Sequence, residues 1–129
     1  MYMVDINYKL AFFLLLFTIL ISCNNEKEIT RLLKSNDKEN IILGAYKAGE
    51  SKEKKYVILL LENTDDKRVS INIRFKGFSV YQEKMIALKK IFATEPPKEI
   101  TAEPDSIIIN FYTNLMCLDS SLKNKKYCN

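Results

Sequence analysis

Histidine and tryptophan are missing from the 129 residues, and glycine, proline and cysteine occur three times each. Without histidine the chain cannot build a Ser-His-Asp or Cys-His nucleophile, or a His-containing zinc site such as His-Glu-x-x-His. Three cysteines cannot complete a Cys₄ cluster. The glycines, at positions 44, 49 and 77, form neither a Gly-x-Gly-x-x-Gly fingerprint nor a P-loop. The sequence therefore implies no cofactor and no metal, and an enzyme built on it would be left with carboxylates, lysine or tyrosine. Charge of one sign is not concentrated either. The net charge is +4, and lysines are interleaved with Glu and Asp. That is the pattern of a solvated surface, with no basic stripe backed by stacking aromatics, so nucleic acid is not an expected partner. No small-molecule substrate is evident.

What is present starts at residue 10. Leu10-Ala-Phe-Phe-Leu-Leu-Leu-Phe-Thr-Ile-Leu-Ile-Ser-Cys23 is an apolar run that ends on one cysteine, with Lys9 before it and Asn24-Asn25-Glu26-Lys27-Glu28 after it. Its core, Leu10 to Ile21, is shorter than the ~20 apolar residues that span a bilayer and has the length of a signal-peptide core. A plain cleaved signal and an uncleaved anchor are the alternatives. Leu20-Ile21-Ser22-Cys23 resembles the lipobox of bacterial lipoproteins. The resemblance implies that residues 1–22 are removed, that the Cys23 thiol carries diacylglycerol, and that the new N-terminus is acylated. Two or three acyl chains hold a protein durably to a membrane without spanning it. Asn24, where an Asp would signal inner-membrane retention, favours the outer membrane. The acidic, Lys-containing run after Cys23 is loosely similar to surface-export signals of Bacteroidetes lipoproteins.

Residues 23–40 read as the lipidated Cys and a mostly flexible tether, with Ile29, Leu32 and Leu33 spaced for one short helical turn. From residue 41 the apolar period shortens to two. Strands are predicted at 41–46, at 56–62, and most clearly at 69–75, where Val69, Ile71, Ile73 and Phe75 alternate with Ser70, Asn72 and Arg74. Phe78, Val80 and Tyr81 continue a strand. In 83–93 the apolar positions fit a helix or a strand, and the neighbouring strands favour strand. A short edge strand at 100–102 and a core strand at 107–113 complete the set.

The expected fold is all-β: an antiparallel sandwich of about six or seven strands over residues 41–129. Val57–Lys67 and Ile100–Ile107 resemble hairpin and turn motifs of immunoglobulin-like and fibronectin-like domains in bacterial envelope proteins, although Ala102 and Asp105 depart from the turn's usual residues and no Trp marks the core.

Cys117 and Cys128 are an even pair in an oxidising compartment, expected to form a structural disulfide that pins the C-terminal tail. Glu62, Asp65 and Asp66 lack the spacing of an EF-hand calcium loop. Glu95, Glu99 and Glu103 sit four apart beside prolines and form no defined acid–base pair. Asp105-Ser106-Ile107 resembles an O-glycosylation site of Bacteroidetes. The expected function is that of a non-catalytic envelope lipoprotein, anchored to the membrane through Cys23 and contacting a protein partner. An immunity or inhibitor lipoprotein that neutralises a toxin or hydrolase is the alternative, and an enzyme built on carboxylates comes third.

Overall fold

The computed structural model describes residues 2–128, with side chains at residues 8–17 and 24–128. The chain is helical. Helix α1 covers Tyr2–Leu33, α2 Lys38–Ser51, α3 Val57–Leu60, α4 Val80–Phe92 and α5 Ser106–Leu118, with single 3-10 turns at Lys54–Tyr56 and Ile73–Phe75. Among the described residues no strand ladder forms, and β pairing is limited to one isolated antiparallel bridge between Val69 and Ser79.

The expected antiparallel sandwich over 41–129, and with it the immunoglobulin-like resemblance, is therefore wrong. The reason lies in three polar residues, Asp37, Ser79 and Asp105, that act as helix caps; Ser79 falls inside a segment expected to continue a strand. The Asp37 carboxylate accepts from the Glu39 N–H at 2.8 Å and starts α2. The Ser79 hydroxyl accepts from the Gln82 N–H at 3.0 Å and starts α4. The Asp105 carboxylate accepts from the Ile107 N–H at 2.7 Å and starts α5. Each satisfies a backbone donor that the first helical turn leaves open. Once these starts are fixed, the apolar residues that follow fall on helical faces. Ile41, Ile42, Ala45 and Ala48 are buried on α2, Met85, Leu88 and Ile91 on α4, and Ile108, Tyr112 and Met116 on α5.

Helix α2 is the centre of the bundle and packs against both α1 and α4. Two glycines set how close those helices come. A Cβ on Gly44 would meet Leu32 Cβ at 2.8 Å and Leu33 N at 2.9 Å, and a Cβ on Gly49 would meet Ala87 Cα at 2.9 Å. Tyr56, Val57 and Leu60 close the core beside α4, with Tyr81 and Tyr112 fully enclosed.

The end of α1 belongs to this domain. Where a flexible tether was expected, residues 24–33 are helical, and Ile29, Leu32 and Leu33 are buried. Glu28 and Glu26 pair with Lys47 and Lys55, each at 3.0 Å. Further upstream, Leu10 to Phe17 are exposed on the same helix. Among the described residues, no helix is long and apolar enough to cross a membrane. Cys117 and Cys128 are joined by a disulfide, Cα atoms 5.5 Å apart, which folds the tail back onto the end of α5.

Candidate docking loop

The segment expected to be the clearest strand, residues 69–75, is instead the middle of a loop from Arg68 to Ser79. Two features bend it. The Asn72 carboxamide oxygen accepts from the Arg74 N–H at 3.0 Å and starts the 3-10 turn. Gly77 has φ +89°, a conformation that costs an L-residue about 1–2 kcal/mol. The loop's two limbs are then pinched together. Ser70 N–H donates to Phe78 O at 2.8 Å, and Val80 N–H donates to Arg68 O at 3.0 Å.

Helix α2 and the turn before it brace the loop from outside. The Glu39 carboxylate, in the first turn of α2, accepts from the Ser70 hydroxyl at 2.6 Å and from the Ile71 N–H at 2.9 Å. These bonds hold the Glu39 carboxyl below the usual carboxylate range. Arg68 forks onto Asp66, with Nε to Oδ1 at 2.9 Å and Nη2 to Oδ2 at 2.7 Å, and also donates to Asn36 O at 2.9 Å. Bidentate pairing of this kind fixes orientation as well as charge, and it holds Asp66 below the ordinary Asp range. Phe75 drops into a small apolar cluster with Ile41, Ile42 and Val80, its ring 5.5 Å from that of Tyr46. The Arg74 guanidinium lies 4.6 Å from the Tyr46 ring centre.

The result is a fixed loop with its aliphatic side chains turned outward. Ile71 is 82 % exposed and Ile73 93 % exposed, with Val69 and Phe78 partly exposed beside them. Lys67, Arg74 and Lys76, also exposed, give the surround a positive charge. Leaving one Ile in water forgoes about 1.5–3 kcal/mol of burial, and two on one braced loop is more than scattered surface apolarity.

Beneath the loop lies a polar cleft of about 230 Å³, lined by Asn36, Glu62, Asn63, Asp66, Arg68 and Lys84 among others. Lys84 is only 3 % exposed, and burial pushes its ammonium pKa down. A buried lysine of this kind is a candidate for nucleophilic or base chemistry. Here, however, its Nζ donates to the Glu62 main-chain carbonyl at 2.5 Å, so the ammonium caps the chain just past α3. Sequence reasoning missed Lys84. It also missed Glu83, which is 2 % exposed between α2 and α4, because both read as ordinary surface charges.

The other sequence candidates are dispersed. Glu62 supplies a carbonyl, Asp65 is exposed and Asp66 holds Arg68; among the described residues no group of acidic or sulfur ligands could hold a metal. Glu95, Glu99 and Glu103 are exposed, with Glu95 paired to Lys89 at 2.8 Å; Glu95 and Glu99 line one cleft with Lys89, Lys90 and Lys98. Ser106 is exposed as the first residue of α5. Cys23 lies in α1 with its side chain outside the described residues. No family model, no curated protein and no solved structure matches the chain.

Proposed function

We propose that this chain is a bacterial lipoprotein, held to the outer membrane by a diacylglyceryl group on Cys23, that binds a protein partner in the cell envelope through the loop Arg68–Ser79. It acts by binding rather than by catalysis. The observation that carries the reading is the exposure of Ile71 and Ile73 on a loop fixed by Glu39, Arg68 and Phe75. A loop ordered before binding loses little further entropy when it docks, so exposed aliphatic anchors on it convert efficiently into affinity. Lys67, Arg74 and Lys76 select a partner whose apolar groove has an acidic rim.

The placement of the loop supports the same reading. Between residues 23 and 33 an α-helix rises about 15 Å. Arg68 bonds to Asn36, beyond the far end of that rise. In this reading the loop stands at the opposite end of the domain from Cys23 and would project away from the membrane. The lipobox resemblance and Asn24 support the anchor and its membrane. The alternative role, an immunity or inhibitor lipoprotein, uses the same loop and differs in its partner.

A photo-crosslinking residue in place of Ile73, in living cells, tests the reading, with the same residue at exposed Lys98 as control. The expected result is a discrete protein adduct at 73 alone, lost when Ile71→Asp is added. With the partner in hand, Ile71→Asp with Ile73→Asp weakens binding on the order of 30-fold. It changes folding stability by less than about 0.5 kcal/mol, as surface substitutions do. An adduct indifferent to Ile71→Asp, or none at 73, removes the loop from the account.

A further inference from the structure

The lysines on the other end of the molecule are also organised. We infer that the domain end next to Cys23 is a basic face that lies on anionic phospholipid headgroups and so sets the domain's orientation on the membrane. The inference rests on the anchored reading above and adds a second, electrostatic contact to it.

Three observations locate the face. Glu26, three residues beyond Cys23 and so only about 4.5 Å further along a helix, pairs with Lys55. Lys54, the neighbour of Lys55, pairs with Asp119 at 2.6 Å, which brings the end of α5 and the tail to the same end. The disulfide between Cys117 and Cys128 then keeps the whole tail there.

The tail is built to present its lysines. Asp119 accepts from the Ser121 N–H at 3.0 Å and hydroxyl at 2.6 Å; the Lys54 ammonium above all, then Ser121, brings its carboxyl down to about 2. Leu122 is buried, and Tyr127 packs against the core. Between them, Asn124 O accepts from the Tyr127 N–H at 3.1 Å and the Cys128 N–H at 3.0 Å, making a turn. Lys123, Lys125 and Lys126 are exposed on that turn. Leu118, 83 % exposed, stands at its edge.

The charge balance at this end is positive. The carboxylates Glu26, Glu28, Glu53 and Asp119 are taken up by Lys47, Lys54 and Lys55. Among the described residues, Lys27, Lys52, Lys123, Lys125 and Lys126 form no ion pair. A lysine near an anionic bilayer gains about fivefold in partitioning, over a screening length of about 8–10 Å. In this inference an acyl anchor at Cys23 brings the end of the domain that carries these lysines to the headgroups. An exposed leucine beside them suits the headgroup boundary. The docking loop at the opposite end lies outside that range.

The chain lacks tryptophan, so a Leu118→Trp reporter is its sole indole. The full protein, as extracted from membranes, is reconstituted in vesicles of zwitterionic lipid or of the same lipid with one third phosphatidylglycerol. Quenching by headgroup-labelled lipid is then read. We expect quenching at least about twofold stronger on the anionic vesicles, lost at high salt, where the screening length shrinks to about 3 Å. It is also lost when Lys123, Lys125 and Lys126 are all changed to Gln. Equal quenching on the two vesicle types, or an unchanged triple variant, overturns the basic face and leaves an acidic protein as the occupant of these lysines. Flotation with zwitterionic vesicles at high salt reports the anchor separately: a chain that does not float there loses its anchor, whatever the quenching shows.

Discussion

Glu83 is a buried carboxyl whose titration bears on stability near neutral pH. Burial between α2 and α4 pushes its carboxyl up to about 7, with Lys90 opposing the shift and Glu50 adding to it. A carboxyl raised in the folded state favours folding when protonated. Stability therefore falls as pH rises from the unfolded value near 4.5 to about 7, by roughly 3 kcal/mol. Glu83→Gln should remove that slope and raise stability above pH 7, as read from urea midpoints at a series of pH values. An unchanged slope in the variant would place the titration elsewhere. Lys84, one residue on, is restrained by its bond to Glu62 O. Lys84→Met should leave that part-buried carbonyl without its lysine donor and cost about 1–3 kcal/mol, measured by thermal unfolding. Neither residue could be picked from the sequence, since a Glu-Lys pair inside a charged stretch looks solvated. Asp37 and Asp105 are residue types that favour turns as well as caps, and Ser79 sits among apolar residues that suit a strand.

Among the elements, α2 depends on small residues more than on large ones. Gly49→Ala puts a methyl 2.9 Å from Ala87 Cα, a backbone atom that cannot swing aside. Overpacking of this sort costs about 1–3 kcal/mol, against a helix-propensity gain of about 1. A net loss of up to about 2 kcal/mol in unfolding free energy is expected from denaturant unfolding; a gain would mean that α2 and α4 separate without penalty. The elements were the least legible part of the chain. Short apolar runs such as Tyr56–Leu61 and Ile107–Phe111 suit a buried strand or a buried helix equally, and their β-branched residues tilt a reading towards strand. What decides between them is the neighbour that receives each run and, before Ile107, the Asp105 cap; α3 has no side-chain cap, and only a cap is local. Residues 69–75 alternate as a strand does, yet Glu39 and Asn36, more than thirty residues away, hold the segment as a loop. The tail was readable, since two cysteines left over for an oxidising compartment can pair. Reducing the disulfide, which closes a ring of 11 residues' separation, should cost about 2–3 kcal/mol in a thiol-dependent unfolding series.

The whole molecule is a small helical bundle with different surfaces at its two ends. Near residue 23 it has paired and unpaired lysines and a pinned tail. Beyond residue 36 it has a braced loop with outward isoleucines. An anchored binding module needs this division, with one end facing lipid and the other facing a partner. The proposed anchor is what gives the two ends their meaning, and it rests on the lipobox resemblance of Leu20-Ile21-Ser22-Cys23. Fatty-acid labelling of the expressed protein beside a Cys23→Ala variant, with membrane fractionation, examines it directly. The account predicts that the wild type takes up label and sediments with the outer membrane, while the variant does neither. A wild type without label would contradict it: Cys23 would be an ordinary thiol, the apolar run a plain signal or helix, and the lysine-rich end would face water.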